Sequence, residues 1–516
     1  MKLHRRKSLL RWLSLLLAGL MLLSAAACQP AATPDATDGQ TTAVPSSGES
    51  DTPPAGEATQ PDGNETAETA PPPDQPVDPA SVKGEITLLA KNDLREKGDN
   101  AAMKEAIRAY IAAFNKVYPG VTVTVSYVDE MKRELDGTAD VYLLTAEDSL
   151  RYVAAEKYAD TKAASQLLDL SDYYTAFGVD TEALLTPAME LGDVAGAQMW
   201  VPFNYDRAVI YADRSVFAEA GVEIPTKDWD YAAFTQTVES LTFVTNTQRY
   251  TGLYLPYNQA FVWKLFARGM GGDYYDAEEK TVTLTEGKVY DGFKAMFSML
   301  EAGTARGMGF NQKNSARSDS AMAIAFACQP ERDGVYVESL DRIQANPAKN
   351  AEALMAEGNL VMLPLPAFPA GNVGVSNTAF CRGFGVDAGT KNPEAAAALA
   401  LFALTVEGQQ ALISYFGGIP TSKTAIGMDF WRVGLLAGEN AETVLVNIEC
   451  DERDDFMELF ENARTPYDGV LRTRTLFASI LYRDYTEAEK RKPESYKPAL
   501  EELETYINQT LRQLRA

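Results

Sequence analysis

The stretch from Val201 to Tyr211 constrains the fold of this chain more than any other part of the sequence. It begins as an extended run in which Pro202 has no N–H to donate, so this residue fits neither the middle of a helix nor a central β-ladder. A polar triplet then interrupts the apolar pattern, and residues 208–211 resume it as a strand. The triplet consists of Asn204, Tyr205 and Asp206. The stretch therefore predicts a short extended segment, a polar break and a second strand.

The residues after this stretch predict two helices. The first covers residues 215–220 and ends at Gly221, because glycine readily adopts the left-handed conformation at a helix end. The second follows Trp229 and runs to Leu241. This order of strand, helix, Pro–Thr turn, tryptophan and helix resembles the signature of bacterial extracellular solute-binding proteins of the carbohydrate type (family 1). In that family the signature marks where the chain crosses between two lobes. The matching residues are Tyr211–Arg214, Phe217, Ala220–Gly221 and Pro225–Asp230.

Other segments resemble the same family. Residues 319–326 match a strand of the family, although the tryptophan that often follows that strand is missing here. The most specific match is the series Lys391–Ala396, Thr405–Gln410 and Gly418–Pro420. The resemblance covers residues 84–516. It implies an α/β fold of two lobes, of the periplasmic-binding-protein (Venus flytrap) type, with a hinge and a cleft between the lobes.

The pattern of apolar residues also predicts parallel α/β structure. Residues 86–90 form an apolar strand, residues from Ile107 to Val117 recur at helical spacing, and residues 121–125 form the next strand. A strand, helix and strand of this length connect parallel strands. Residues 139–144 add a third strand. We expect residues 84–205 and 370–418 to form the first lobe, and residues 206–369 and 419–516 to form the second.

The amino terminus predicts export and attachment to a membrane. A basic segment precedes an apolar run from Trp12 to Ala27, which is typical of a secretory signal. The run is short for the ~20 residues of a spanning helix, which favours cleavage over an uncleaved anchor. Residues 25–28 resemble a lipoprotein signal, and this implies removal of residues 1–27 and acylation of Cys28. Residues 28–83 are expected to form a disordered, acidic, Pro/Thr-rich tether.

Composition excludes several kinds of chemistry. The only histidine is His4, inside the predicted signal, so the mature chain has no histidine for a catalytic triad or a metal site. No Cys-x-x-Cys pair occurs, and we therefore expect neither a metal nor a cofactor. The net charge of −25 at pH 7 argues against a nucleic-acid partner. Any two of Cys328, Cys381 and Cys450 could pair outside the cell, but we expect all three to stay reduced.

Candidate ligand-binding residues lie where strands end, because ligands of open α/β sheets bind outside the carboxyl ends of the strands. The loop after the first strand offers Asn92 and Asp93. The loop after the third strand offers Asp148, which alternatively caps the next helix. These side chains would line the first-lobe side of a cleft.

The remaining candidates lie at the crossover and beyond it. Trp263 is as much a candidate for the core of the second lobe as for the ligand site, whereas the polar neighbours of Tyr205 favour a cleft position for that side chain. Tyr467 lies where the family often places a cleft aromatic residue. The full set of these candidates is Asn204, Tyr205, Asp206, Tyr257, Trp263, Asn377 and Tyr467.

The resemblance implies a substrate-binding lipoprotein of an ABC importer, which captures a sugar or oligosaccharide and catalyses no reaction. Aromatic faces together with Asp and Asn side chains are the groups that a neutral sugar needs. The partners that the resemblance implies for the protein are the solute, the transmembrane permease subunits and the lipid membrane through acylated Cys28. The protein would be a monomer on the outer face of the bacterial cytoplasmic membrane. Two alternatives stay open: a surface lipoprotein that binds a non-sugar solute, and a glycan-acting enzyme with a pair of carboxylates.

Overall fold

The computed structural model describes fifteen parts of the chain, and all of them belong to one compact unit, Thr66–Ala516. They are residues 76–92, 100–132, 135–145, 148–149, 152, 165–194, 196–246, 248–255, 260–276, 279, 281–307, 318–327, 358–371, 379–451 and 496–513. The predicted signal, Cys28 and the tether up to residue 75 lie outside the described residues. The same is true of Asp93, Tyr257, Cys328, Asn377 and Tyr467.

The central element is one strand of 13 residues, β6 (Val201–Asp213), which is buried along its whole length. The first half of β6 pairs antiparallel with β13 (Ala379–Val386) and β14 (Ile419–Pro420). The second half pairs antiparallel with β11 (Ser318–Phe326) and β12 (Leu360–Leu363). A single strand is therefore shared by two groups of strands.

The prediction of two strand segments separated by a polar break was wrong. The triplet of residues 204–206 lies inside the continuous strand, because each of its side chains has a hydrogen-bond partner within the fold. Pro202 is tolerated as the second residue of β6, where it faces Gly383 beside a β-bulge in which Phe203 of β6 is the extra residue. The bulge shifts the register between Arg382 and Gly383, and so adapts the ladder around the proline.

The first lobe is built on β1 (Gly84–Lys91), β2 (Val121–Val128) and β3 (Val141–Thr145). β1 pairs parallel with β2 and with β3, as the strand–helix–strand pattern predicted, and β13 joins β3 to β6. The helix α1 (Ala101–Val117) directs Ile107, Tyr110 and Phe114 into the core at helical spacing. The ring of Tyr110 stacks on that of Phe384, with 5.3 Å between their centroids. Two later helices complete this core: α8 (Pro393–Phe402) and α9 (Val406–Phe416).

The second lobe is built on β11, β7 (Arg249–Tyr254) and β10 (Ala305–Arg306). The helix α4 (Arg214–Ala220) follows β6 directly: the carboxylate of Asp213 accepts the N–H of Ser215, and Gly221 ends the helix at φ 66°, as predicted. Four helices bury their apolar residues in a separate core on this lobe. They are α5 (Tyr231–Ser240), α6 (Ala260–Gly269), α7 (Gly287–Ala302) and α12 (Lys497–Gln513).

Residues 419–451 form a segment that we call the strap, because it contacts both lobes. Near its start, the carbonyl of Thr421 accepts the N–H of Leu185 in the first lobe at 2.8 Å. In its middle, the amide oxygen of Asn440 accepts the N–H of Met362 on β12 at 2.8 Å. The strap contains the helices α10 (Lys423–Ile426) and α11 (Glu439–Val444), and short 3-10 turns at Gly434–Leu436 and Ile448–Cys450.

The other described elements are short. They are α2 (Ser171–Ala176), a 3-10 turn at Thr181–Ala183, α3 (Thr186–Glu190), the hairpin of β4 (Asp193–Val194) with β5 (Ala197–Gln198), and the hairpin of β8 (Tyr275–Asp276) with β9 (Thr281–Val282).

A further property of the helices in the described ranges is their capacity to span a membrane. No single helix there has the length and apolar character needed to cross a membrane. The pair of α8 and α9, bent by 69°, meets that requirement jointly, by length and composition alone.

The close approach of β13 to β6 generates a stability prediction. In Gly383→Ala, the new Cβ would lie 2.1 Å from the carbonyl oxygen of Val201 and 2.8 Å from the Cα of Pro202. Both are backbone atoms of β6, so the ladder must shift, and we expect a loss of about 1–3 kcal/mol in the free energy of unfolding from urea titrations.

Gly427→Ala is the matched control, because its nearest neighbour would be the Thr424 carbonyl oxygen at 3.4 Å. We expect this control to change the unfolding free energy by less than about 0.5 kcal/mol. Equal urea midpoints for the two variants would contradict the packing of β13 on β6.

Candidate functional site

The first-lobe strands end toward the middle of β6. β1, β2 and β3 are parallel and end at Lys91, Val128 and Thr145. Because β13 is antiparallel both to β3 and to β6, β6 runs in the same direction as these strands. β6 thus leaves the first-lobe sheet at its carboxyl edge, just beyond the Arg207–Ala379 pair.

The second-lobe strands end toward the same point from the other side. β11 is antiparallel to β6, and β7 and β10 run parallel to β11. The end of β11, Phe326, pairs with Ala208, which is the next residue of β6 after Arg207. The carboxyl edges of both lobes therefore meet at residues 207–208, where a ligand of open α/β sheets is expected.

Hydrogen-bonding side chains lie at the carboxyl edge of the first lobe. The Nδ2 of Asn92, just after β1, donates to the Oδ1 of Asp129, just after β2, at 2.9 Å. The amide oxygen of Asn92 is buried and accepts no hydrogen bond from the part of the chain that the structure describes. After β3, the N–H of Asp148 donates to the Oγ1 of Thr145, and that hydroxyl donates to the Asp148 carboxylate, both at 3.1 Å. The Thr145 hydroxyl thus caps the N–H of Asp148, and the Asp148 carboxylate is held beside the end of β3.

Aromatic side chains lie at the carboxyl edge of the second lobe. The rings of Phe261, at the start of α6, and Phe326, at the end of β11, are 4.6 Å apart and both are partly exposed. Tyr254 ends the neighbouring strand β7. Sequence reasoning missed the Phe261–Phe326 pair, because only the register of β11 on β6 brings Phe326 to the crossing point. One signal was available in the sequence: Phe326 is an aromatic residue at the end of a strand, and the tryptophan that often follows this strand in the family is missing here.

The crossover triplet is buried within the fold. Asn204, Tyr205 and Asp206 are each at most 1% exposed. The Nδ2 of Asn204 donates to the carbonyl of Gly417 at 2.8 Å, and its Oδ1 accepts the N–H of Arg382 at 2.7 Å. Asp206 accepts the N–H of Arg207 at 2.8 Å. These contacts hold β6 against β13 and against the end of α9, so the triplet occupies the crossing point through its backbone while its side chains are engaged inside the protein.

A buried cluster of charged and polar groups fastens the end of the strap to β6. The guanidinium of Arg207 forms an ion pair with Asp451 at 2.5 Å and donates to the carbonyls of Val444 and Val446 at 3.3 and 2.6 Å. The hydroxyl of Tyr205 donates to the other carboxylate oxygen of Asp451 at 2.7 Å. Burial raises the pKa of the Asp451 carboxyl, and the Arg207 guanidinium and the Tyr205 hydroxyl oppose that rise. Burial also raises the pKa of the Tyr205 hydroxyl well above its ordinary value, so Tyr205 acts as a hydrogen-bond donor.

Trp263 lies in the second-lobe core, with 2% of its surface exposed. Its ring stacks on Phe293, with 5.6 Å between centroids, and meets Tyr274 edge-on at 5.3 Å. The structure therefore brings Asn92 and Asp148 to the carboxyl edge of the first lobe and Trp263 into the interior of the second.

The described ranges contain two cysteines, Cys381 and Cys450. Cys381 is buried and Cys450 is exposed, and both are free thiols. Burial raises the pKa of the Cys381 thiol, which keeps it protonated and unreactive. Within those ranges, no group of three or more His, Cys, Asp or Glu side chains is placed to hold a metal ion.

The Arg207–Asp451 pair generates an asymmetric prediction. Asp451→Asn leaves a buried guanidinium that cannot lose its proton, so we expect a loss of about 3–5 kcal/mol in unfolding free energy. Arg207→Met leaves a buried carboxyl that can take up a proton, so its penalty at pH 5 should be smaller. Urea denaturation of both variants at pH 5 measures the difference, and equal penalties would contradict a buried, charged Arg207.

The same pair predicts a dependence on pH. Without the guanidinium, the pKa of Asp451 rises further in the folded state, so folded Arg207→Met binds more protons than the folded wild type. Stability rises with pH only where the unfolded state binds more protons, so the penalty of Arg207→Met must grow as pH rises. Denaturation at pH 5 and pH 8 tests this expectation, and a constant or shrinking penalty would refute it.

Comparison with known proteins places this geometry in a family. The family model for bacterial extracellular solute-binding proteins matches residues 109–433, which is more than half of the chain. Proteins of that family bind solutes without catalysing a reaction, and this confirms the prediction that the chain is not an enzyme. A search of curated protein sequences gave no match.

Solved structures share the fold at low sequence identity. The sugar-binding protein MalE from Xanthomonas citri has a TM-score of 0.58 and 16% identity, over 83% of this chain and 98% of that one. The ABC substrate-binding protein Lmo0181 from Listeria monocytogenes, in complex with cycloalternan, has a TM-score of 0.55 and 18% identity, over 83% and 99% of the two chains. UgpB from Mycobacterium tuberculosis, in complex with glycerophosphocholine, has a TM-score of 0.55 and 16% identity, over 84% and 100%.

These similarities confirm the predicted α/β fold of the periplasmic-binding-protein type, with two lobes and a mixed sheet. They agree with the two cores that flank β6 and with the carboxyl edges that meet at its middle. The chain belongs to the bacterial extracellular solute-binding protein family.

Proposed function

We propose that this chain is the substrate-binding component of an ABC importer and that it captures a sugar or oligosaccharide between its two lobes. Family membership supports solute capture outside the cell. The carbohydrate assignment is supported by two structurally similar proteins, one in complex with cycloalternan and one described as sugar-binding. The captured solute is handed to the permease unchanged.

The observation that carries the carbohydrate assignment is the chemical difference between the two carboxyl edges. The first lobe offers the amide of Asn92 and the carboxylates of Asp129 and Asp148. The second lobe offers the ring pair of Phe261 and Phe326. A sugar has hydroxyl groups around its rim and C–H groups on its faces, so one edge supplies hydrogen bonds and the other supplies stacking.

Binding at this place couples ligand capture to movement of the lobes. Contacts from both edges exist together only when the lobes approach each other, so a bound ligand shifts the population toward a closed form. The closed form is the state that the permease recognises. The lobe boundaries that we propose are residues 84–205 with 370–418, and residues 206–369 with 419–516, except that the two ends of the strap pack on the first lobe.

Membrane attachment belongs to the same proposal. Acylation of Cys28 would hold the protein as a monomer on the outer face of the cytoplasmic membrane, and the acidic tether would carry the lobes away from the lipid surface. A flexible tether of about 50 residues spans on the order of 40 Å. Asp93, Tyr257, Asn377 and Tyr467 remain proposed ligand contacts outside the described residues.

A second candidate ligand is a small polar solute that is not a sugar. The similar protein UgpB was solved in complex with glycerophosphocholine, so the fold accepts such a solute. The two phenylalanine rings at the second-lobe edge also suit a quaternary ammonium group, which is attracted to aromatic faces.

Thermal unfolding of the full chain with a ligand panel tests both candidates. The panel contains maltose, maltotriose, cycloalternan and glycerophosphocholine, each at 1 mM. Stabilisation follows RT ln(1 + [L]/Kd), so a micromolar ligand should add about 4 kcal/mol and a clear rise in Tm. A rise with a saccharide alone supports the carbohydrate assignment, and a rise with glycerophosphocholine alone replaces it with the second candidate. A panel without any shift would contradict the carbohydrate assignment.

Phe326→Ala tests the location of the site. Loss of this ring should weaken binding of the panel's hit by about tenfold or more, equivalent to ~1.4 kcal/mol, in isothermal titration calorimetry. The matched control is Phe177→Ala, because Phe177 is also a partly exposed ring but packs on Tyr118 at the opposite edge of the first lobe. Unchanged affinity in Phe326→Ala, or equal losses in both variants, would place the ligand elsewhere.

A further inference from the structure

The strap contacts both lobes, so it must respond to any movement between them. Its start pairs with residues 204–205 of β6 and bonds to Leu185, all in the first lobe. Its helix α11 packs on β12 in the second lobe, where Asn440 accepts the N–H of Met362. Its 3-10 turn at Ile448–Cys450 returns to contact α3 in the first lobe. The strap is therefore an additional connection between the lobes, beside the strands that join them.

One guanidinium joins the second-lobe part of the strap to its first-lobe part. Arg207 donates to the carbonyl of Val444, the last residue of α11, and to that of Val446. It also pairs with Asp451, which directly follows the 3-10 turn. The planar guanidinium has a fixed fork of donors, so it holds these acceptors at set directions and distances from one another.

Arg207 is the residue at which β6 passes from one lobe to the other. It pairs with Ala379 of β13, whereas the next residue, Ala208, pairs with Phe326 of β11. The helix α11, which ends at Val444, packs on β12 of the second lobe, whereas Asp451 accepts the hydroxyl of Tyr205 in the first-lobe half of β6. A rotation of the lobes about this point would therefore change the distance between Val444 and Asp451. Because Arg207 bonds to both, the rotation must stretch or exchange at least one of these hydrogen bonds.

We propose that Arg207, with Asp451 and Tyr205, is a latch that sets the resting angle between the two lobes of the unliganded protein. Asp451 is held from two directions, by the guanidinium at 2.5 Å and by the Tyr205 hydroxyl at 2.7 Å, and its side chain is fully buried. Water therefore does not compete for these bonds, and the angle that satisfies all of them is preferred over its neighbours. Arg207 is a positioning residue here, because it acts on the lobes and touches no solute.

The latch rests on the lobe movement invoked in the proposed function but does not depend on the identity of the solute. It is therefore tested without any ligand. Spin labels are introduced into the full chain through non-natural amino acids at Arg108 on α1 and Lys288 on α7, whose side chains are 65% and 68% exposed. Double electron–electron resonance then gives the distribution of interlobe distances.

We expect a narrow distance distribution for the wild type and at least twice its width for Arg207→Met. Arg207→Lys should give an intermediate width, because an ammonium keeps the charge but lacks the fork that reaches several acceptors. Tyr205→Phe removes one hydroxyl from the cluster and should also broaden the distribution. If Arg207→Met does not fold, the width of the distance distribution in Tyr205→Phe tests the latch instead.

Lys423→Met is the matched control. It removes another ion pair of the strap, between Lys423 and Glu449, whose two side chains are about half exposed. This pair lies within the part of the strap next to the first lobe. Its distribution should match the wild type. Wild-type distributions in both Arg207→Met and Tyr205→Phe would overturn the latch. A failure of every sugar to bind would leave this measurement unaffected, so the two proposals fail separately.

Discussion

The whole structure depends on the hydrogen-bond ladder along β6. Its 13 residues are buried, so every main-chain N–H and C=O of the strand needs a partner inside the protein. One set of strands provides these partners for the first half and another set for the second half. Each lobe can keep its own core because the strand is shared, and the point of exchange at residues 207–208 is where the two carboxyl edges meet.

The buried ion pair of Arg207 and Asp451 at that point fixes the directions of the groups around it more than it adds to the stability of the fold. Bringing Arg207 and Asp451 out of water costs several kcal/mol per ion, and their attraction with good hydrogen bonds offsets that cost without a large surplus. An apolar pair would fill the same space, but it would not fix the directions of three acceptors around a guanidinium. The retention of ions at the crossing therefore fits a role in setting the angle between the lobes.

Local patterns in the sequence predicted the elements that depend on neighbouring residues. The parallel pairing of β1 and β2, the helix α1 and the glycine that ends α4 all follow from periodicity and cap chemistry within a few residues. The polar triplet was misinterpreted because its partners lie far away in sequence: Asn204 bonds to Gly417 and Arg382, and Tyr205 bonds to Asp451. No short window of sequence contains those contacts.

The candidate site shows the same division. Strand ends predicted that Asn92 and Asp148 would lie at a carboxyl edge, since chain direction alone determines that position. The spacing of Trp263 could not distinguish a core position from a ligand contact, because both face inward from the same helix. The Phe261–Phe326 pair depends on the register of β11 against β6, which is fixed by tertiary pairing and is not visible in the sequence.

The most direct test of the account is a crystal structure of the full chain with the saccharide that gives the largest thermal stabilisation. The account predicts ligand density between the two carboxyl edges, in contact with Asn92 on one side and with Phe326 on the other. Density confined to one lobe, or located away from residues 207–208 of β6, would contradict it.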